Sequence, residues 1–351
     1  MIDRFLAGMR RARPAVMFVL LLAFLTAASA VHGIAPQRVV VLETMPVAAV
    51  TEQSRFFQTY LKEMAAADGI PLDLVVLKAE GNRDRAERLL DNAIAAEKPD
   101  LVVSVATMAT QAAAARLKGT GTPLLFLCVS DPVGAGIVDR IGVPTGTHIT
   151  GKVYTVSRES KIRMALRLVG QREGRNPVRF GFIHSDYPSA VGDIRALEAI
   201  ANEMPDVAFV AHRLPYRQVP DGLPAMLADV EKGIAALADR IDYWWEPSGP
   251  LGETDAYTQT LLAGSDRPIV FGTKLSSVKM GALLHVTPDW AASGRETAAI
   301  AHAILDGADP GAIPVTPPET FLLGLNLSTA LKLNIIVPPD LMQLAGPHIY
   351  R

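Results

Sequence analysis

The stretch from Pro99 to Gly136, PDLVVSVATMATQAAAARLKGTGTPLLFLCVSDPVGAG, constrains this chain more than any other. Two apolar runs of strand length, Leu101–Ala106 and Leu124–Val129, flank an Ala-rich helical pattern, and each stops abruptly at small polar residues. Two such strands joined by a helix make a right-handed βαβ unit and force a parallel sheet. In parallel sheets the ligand crevice lies outside the carboxyl ends of the strands. Those ends are Thr107 and Met108 in one case, and Ser130, Asp131 and Pro132 in the other. The Met108 helix begins there too, with unbonded N–H groups and the positive end of its dipole, which suits a small anion.

Strand and helix patterns alternate on both sides of this unit. Arg38–Leu42 reads as a strand and Thr51–Ala67 as a helix, with Phe56, Phe57, Tyr60, Leu61 and Met64 on one face. Leu72–Leu77 and Arg83–Glu97 repeat the pair. After Gly151 the order restarts: strands at Val178–Ile183, Val207–His212, Ile241–Trp245 and Pro268–Gly272, helices at Ala190–Glu203, Leu223–Ala238 and Glu253–Ala263. Asp100-Leu-Val-Val has its counterpart in Asp242-Tyr-Trp-Trp, and Thr122-Pro-Leu-Leu-Phe in Arg267-Pro-Ile-Val-Phe. The same order twice predicts an α/β protein of two doubly wound, Rossmann-like lobes facing each other across a cleft. From Gly281 onward the tail reads as a strand, a long helix Trp290–Leu305 and a proline-punctuated extension that crosses back between the lobes.

At the N-terminus, Arg4, Arg10, Arg11 and Arg13 precede an apolar run from Ala15 to Leu25, followed by Ala28-Ser29-Ala30. The run is shorter than the ~20 residues of a bilayer span, so residues 1–30 read as a signal peptide with the mature chain starting near Val31. The competing reading is an uncleaved anchor. Cys128 is the one cysteine of the 351 residues and sits in an apolar run. No disulfide within the chain and no lipid anchor at the cleavage site are therefore expected. A net charge of -2 without a basic stripe argues against nucleic acid as a partner.

Enzyme motifs are poorly represented. Gly146-Thr-His-Ile-Thr-Gly151-Lys152-Val153 approaches the phosphate loop, but Val153 stands where a magnesium-binding hydroxyl belongs, so the stretch reads as a lobe crossover. There is no G-x-G-x-x-G, G-x-S-x-G or H-E-x-x-H, and His148, His184 and His285 lack metal-ligand spacing. No catalytic residue, metal or cofactor is expected.

Five segments in order, VATMATQAA, TPLLFLCVSDPVGAGIV, HITGKVY, GALLHVTPDWAASGRETAAIAHAILDGADPGAIPV and LGLNLSTALKLNIIVPPDLMQLA, resemble one family of ABC-transporter substrate-binding proteins that includes aromatic amino-acid binders. The resemblance runs from about residue 38 to 348. It implies the type I periplasmic-binding-protein fold, with crossovers near Gly151, Thr287 and Val315. Lobe 1 would then be residues 36–150 plus 288–315, and lobe 2 residues 151–287 plus 316–351. It also implies a periplasmic, monomeric receptor that delivers a small solute to an ABC permease in the inner membrane.

The cleft-facing loops would be Glu43-Thr44-Met45-Pro46 and Trp245-Glu-Pro-Ser-Gly-Pro. For an amino acid or related zwitterion, Thr107 and the helix start at Met108 offer donors to a carboxylate, and Asp131 or Glu246 a carboxylate to an ammonium. Thr107 also reads as a simple helix cap and Asp131 as a turn residue. Tyr187 and one of Trp244 and Trp245 offer an aromatic face, because successive strand residues point to opposite sides. Ser185, Asp186, Thr273 and Lys274 stand at strand ends of the second half. The candidate ligand-binding set is thus Thr44, Thr107, Met108, Asp131, Ser185, Tyr187, Trp245, Glu246 and Thr273. Two other roles fit the same chain. One is a sensing module for a separate membrane receptor, told apart by whether permease and ATPase genes are adjacent. The other is an exported enzyme, told apart by whether a bound ligand is recovered unchanged.

Overall fold

Parallel strands covered by helices on both faces need unbroken apolar runs. In the computed structural model, which describes residues 35–170 and 177–351, such runs build a first sheet of five strands. These are β1 (Gln37–Glu43), β2 (Leu72–Lys78), β3 (Leu101–Val105), β4 (Leu124–Val129) and β5 (Ile149–Val153). Their order is β2-β1-β3-β4-β5, all parallel, with Val39 level with Leu101 and Val102 with Leu124. Every residue of β3 and β4 is buried, while the edge strand β2 is only half-buried. Helices α1 (Ala48–Ala67), α2 (Arg83–Ala96) and α3 (Thr107–Leu117) supply the connections. Asn82 caps α2, its side chain accepting from the Arg85 amide at 2.8 Å.

The second half forms its own sheet from β6 (Val178–Ser185), β7 (Val207–Leu214), β8 (Tyr243–Trp245), β9 (Ile269–Phe271), β10 (Leu284–Pro288), β11 (Phe321–Asn326) and β12 (Ile349–Tyr350). The order β7-β6-β8-β9-β10 repeats that of the first sheet, and β11 joins antiparallel to β10 with β12 parallel beside it. Helices α4 (Arg158–Val169), α5 (Pro188–Ala201), α6 (Leu223–Leu237), α7 (Asp255–Gly264) and α8 (Leu275–Met280) pack around it. The fold is the two-lobed doubly wound α/β architecture that the alternating pattern predicts. In each sheet the strand order reverses once, between β1 and β3 and between β6 and β8, which places the ligand crevice of each lobe.

Three connections join the lobes. The first leaves after Val153, because Ile149–Val153 pairs with β4 as the last strand of the first sheet. Gly151, where the sequence sets the crossing, is inside that strand, and a Cβ there would collide with the Phe126 carbonyl. The other two connections pass through Pro288–Asp289 and residues 316–320, where Asp289 N donates to Thr320 O at 3.0 Å. Lys152 is 5% exposed beside these strands, and its ammonium meets Glu296 at 2.7 Å.

Helix α9 (Trp290–Leu305) lies between β10 and β11 in sequence, yet it packs on α1 and adds Ala298, Ala301 and Ile304 to the first-lobe core. Asp289 caps it, accepting from the amides of Ala291 and Ala292. The two helices approach closely at Gly294, where an added Cβ would fall 2.6 Å from Phe56 Cβ and 2.9 Å from the Phe57 amide nitrogen. Relief requires backbone movement, so Gly294→Ala is expected to destabilise the protein by about 1–3 kcal/mol. Urea unfolding followed by circular dichroism measures it, and an unchanged midpoint would show that the crossing is slack.

The second-lobe core has two parts, one on each sheet face. Phe180, Tyr243, Trp245 and Phe271 gather on one, and Ile183, Trp244, Tyr257 and Ile269 on the other. The helix α4 is not in the sequence reading above, although Ile162, Ala165, Leu168 and Val169 carry helical spacing and Ser157 caps it. Tail helices α10 (Leu327–Lys332) and α11 (Pro339–Ala345) are likewise additions to that reading.

Candidate functional site

Both sheets aim their carboxyl strand ends at one cavity. It comprises two adjoining chambers that share Ser130, Tyr154, Ser248 and Glu253. The chamber on the first-lobe side is mostly apolar, walled by Met45, Val47, Val50, Cys128 and, from the second lobe, Tyr187 and Pro250. The chamber on the second-lobe side is charged, walled by Arg158, Lys161, Asp193, Glu246, Thr273 and His285, with Trp245 and Phe271 as its aromatic surface. Those two rings stack at 4.1 Å, and the Lys161 ammonium sits 5.6 Å from the Phe271 centroid.

Backbone strain marks the first-lobe wall. Ala106 (φ 73°) and Cys128 (φ 61°), which end or interrupt β3 and β4, are held in left-handed conformations that a Cβ disfavours. Each costs about 1–3 kcal/mol and persists only where the surroundings enforce it. Ala106 hands the chain to α3, whose first turn then opens at the cavity. The Ala109 amide is taken by Thr44 Oγ1 at 3.1 Å and that of Thr110 by the Ala106 carbonyl, so the amides of Thr107 and Met108 remain as donors.

Electrostatics in the charged chamber are set by partial burial and close pairing. Burial raises Asp193, but Arg158 (2.8 Å) and Lys161 outweigh it and hold its carboxyl below the usual range. Its other oxygen accepts from the Ser248 amide at 3.3 Å. Burial lowers Lys161 to about 8 against the opposing pull of Asp193. Burial raises Glu253 to about 7, with Lys274 opposing and Glu246 reinforcing. His285 falls to about 3 through burial and then Lys161. Cys128 is pushed up by burial and by Glu253, so its thiol stays protonated and packs as a small apolar group.

The structure brings Thr107, Tyr187, Trp245, Glu246 and Thr273 to the cavity wall. Trp244, on the opposite face, is fully buried, its indole N–H donating to Ser265 Oγ at 2.9 Å. The other candidates have different tasks. Thr44 is buried, donating to the Val105 carbonyl at 2.6 Å, and so ties the end of β1 to the start of α3. Met108 packs in the first-lobe core and Ser185 is buried, both outside the cavity lining. Asp131 closes a turn, accepting from the Gly134 amide at 2.9 Å, and also lies outside it. Thr273 holds Glu246 in place, its amide donating to Oε2 at 2.8 Å. Lys274 is buried beneath the wall. Tyr154, Arg158, Lys161, Asp193, Glu253 and His285 also line the cavity, and the sequence reading does not select them. Arg158 and Lys161 were legible only through α4, whose Ser157 cap and apolar spacing are the available signal.

The lobes touch beside the cavity. Gln218 Nε2 donates to the Glu80 carbonyl at 2.7 Å, and Tyr216 stands so close to Gly81 that a Cβ there would lie 2.7 Å from its hydroxyl. Tyr187, from the second lobe, packs with the first-lobe core and meets Tyr216 edge-on at 4.8 Å. Among the described residues no helix is long and apolar enough to cross a membrane, and no cluster of three or more potential metal ligands exists.

Two doubly wound lobes around a cavity walled by both make the type I periplasmic-binding-protein fold. The chain belongs to the ABC transporter substrate binding protein family, whose model matches residues 39–170 and 254–349. It is 22% identical over 275 residues, 78% of this chain and 74% of the relative, to a tyrosine-binding protein of Clostridioides difficile strain R20291. The ABC domain in complex with L-Trp from Streptococcus pneumoniae superposes with a TM-score of 0.71 at 18% identity, covering 89% of this chain and all of that one. A ligand-free, open substrate-binding protein from Clostridium difficile gives 0.63 at 19% identity, covering 90% and 98%. The resemblance seen in the sequence motifs is thereby established as membership.

Proposed function

We propose that this protein is the exported receptor of an ABC importer, capturing an amino acid or related zwitterion between its lobes and presenting it to a membrane permease. One observation carries the reading: a single cavity walled by both lobes, with groups of both charges in one chamber and an apolar lining in the other. A zwitterion with an apolar side chain needs that combination. Support also comes from the family and from relatives named for binding tyrosine and L-Trp. The proposed location is the periplasm, following the N-terminal sequence pattern, which lies outside the described residues. The reading includes a monomer that binds without chemical conversion.

Thermal-shift screening of L-tryptophan, L-tyrosine, L-phenylalanine and L-leucine, followed by X-ray scattering with the best stabiliser, tests it. A ligand that contacts both lobes favours the closed arrangement by its differential affinity. The radius of gyration is therefore expected to fall on adding the stabilising amino acid, with the three inter-lobe connections absorbing the change. A stabiliser that leaves the radius unchanged and contacts one lobe would refute closure on the ligand.

A further inference from the structure

The polar atoms left without partners show which end of a ligand each chamber receives. Glu246, only 2% exposed, accepts from the Thr273 amide and the Ser277 hydroxyl through Oε2, at 2.8 and 2.6 Å, while its Oε1 has no partner. His285 is 2.6 Å from the Gly272 carbonyl through Nδ1. A carbonyl only accepts, so the proton is on Nδ1 and Nε2, also without a partner, presents a lone pair. Two acceptors thus stand in one wall. Arg158 engages Asp193 through Nε and leaves Nη2 unpartnered. Lys161, one turn along the same helix, donates to Thr155 Oγ1 at 2.7 Å and keeps two further protons. The first-lobe chamber offers only neutral donors, the unpartnered Tyr187 hydroxyl and the amides at the start of α3; Met45, Val47, Val50, Cys128 and Pro250 bring it no charge, and Glu253 stands at the junction.

Resting on the reading of an amino-acid receptor, we propose that the ligand's head lies in the second-lobe chamber and its uncharged side chain in the first. The ammonium is held by Glu246 Oε1 and His285 Nε2, and the carboxylate by Arg158 and Lys161. This keeps Glu246, one of the two sequence candidates, on the ammonium, and moves the carboxylate away from Thr107 and the start of α3, where the sequence reading puts it. Thr107 then borders the side chain, and amino acids with acidic side chains are excluded because no Lys or Arg lines the first-lobe chamber.

Calorimetric titration of the wild type and of Glu246→Gln, Arg158→Lys and Thr107→Val separates the two orientations. The probes are L-tryptophan, L-tyrosine, L-phenylalanine and L-leucine, plus, for the tightest of them, the amine lacking the carboxylate and the acid lacking the ammonium. Loss of a charge-assisted contact corresponds to about tenfold or more in affinity. Glu246→Gln is expected to weaken the amino acid by that much and the deaminated acid little. Arg158→Lys weakens the amino acid but not the amine. Thr107→Val changes all three by about twofold at most, the effect of a neutral group at the margin. Melting of each ligand-free variant checks folding, and His285→Gln reports the ammonium contact if Glu246→Gln does not fold. A tenfold loss confined to Thr107→Val overturns the orientation and leaves the receptor reading intact. Failure of all four amino acids to bind overturns that reading, and the orientation with it.

Discussion

Replacing Lys274 by Met is expected to remove about 3–5 kcal/mol of folding stability, the cost of breaking a buried, fully bonded charge site from one side. The ammonium donates to the carbonyls of Gly252 and Thr254 at 3.2 and 3.0 Å, and lies 3.2 Å from both Thr258 Oγ1 and Ser277 Oγ. Ser277 in turn donates to Glu246, so the lysine anchors the loop after β8 and the carboxylate at once. Its contact with Asp255 at 3.8 Å adds little, because that carboxylate is 59% exposed. Thermal and urea unfolding of the ligand-free variant would show the loss. A decrease below about 1 kcal/mol would mean that water substitutes for the ammonium.

The second large effect is a pH dependence at Glu253. Its folded value of about 7 lies above the ordinary 4.5, so between those values the folded state binds a proton that the unfolded state has released. Stability therefore falls as pH rises through this window, and the penalty is complete above about 7. Glu253→Gln removes it. The variant is expected to match the wild type near pH 4.5 and to exceed it by about 1–3 kcal/mol at pH 8. Two neighbours act oppositely in other windows. His285, lowered to about 3 from 6.5, makes stability rise with pH across that range, and Lys161, lowered to about 8 from 10.5, does so above 8. Measuring the difference between variant and wild type at each pH cancels both. A difference that stays constant with pH would show that Glu253 titrates as it does in water.

The fold was legible because its signals are local. Leu101–Val105 and Leu124–Val129 are buried on both faces and read as unbroken apolar runs, and the repeated strand order follows from the repeated pattern. The site was legible only where a strand end carries the residue, as with Thr107, Trp245, Glu246 and Thr273. Arg158 and Lys161 are on a helix rich in charge, and nothing local distinguishes them from Arg163 and Arg167, which face solvent and pair with Glu159 and Asp340. Asp131 illustrates the converse. Its position after β4 is where the sequence places a ligand contact, but the Gly134 amide takes the carboxylate in a turn outside the cavity lining. The family model leaves residues 171–253 unmatched, and that gap holds Asp193, Trp245, Glu246 and Glu253. Part of the second-lobe wall thus lies outside the matched ranges, whereas Arg158, Lys161, Thr273 and His285 lie within them.

Helix α9 carries a consequence for the order of assembly. The first-lobe sheet is complete at Val153, but the helix layer over α1 is supplied by Trp290–Leu305. A nascent chain that has emerged only through its fifth strand thus exposes the apolar side of α1 that Ala298, Ala301 and Ile304 later cover. Closing the span between Phe57 and Gly294 is a long-range step of the kind that slows folding. The first-lobe core is therefore incomplete until Trp290–Leu305 is available, long after its own sheet has been synthesised.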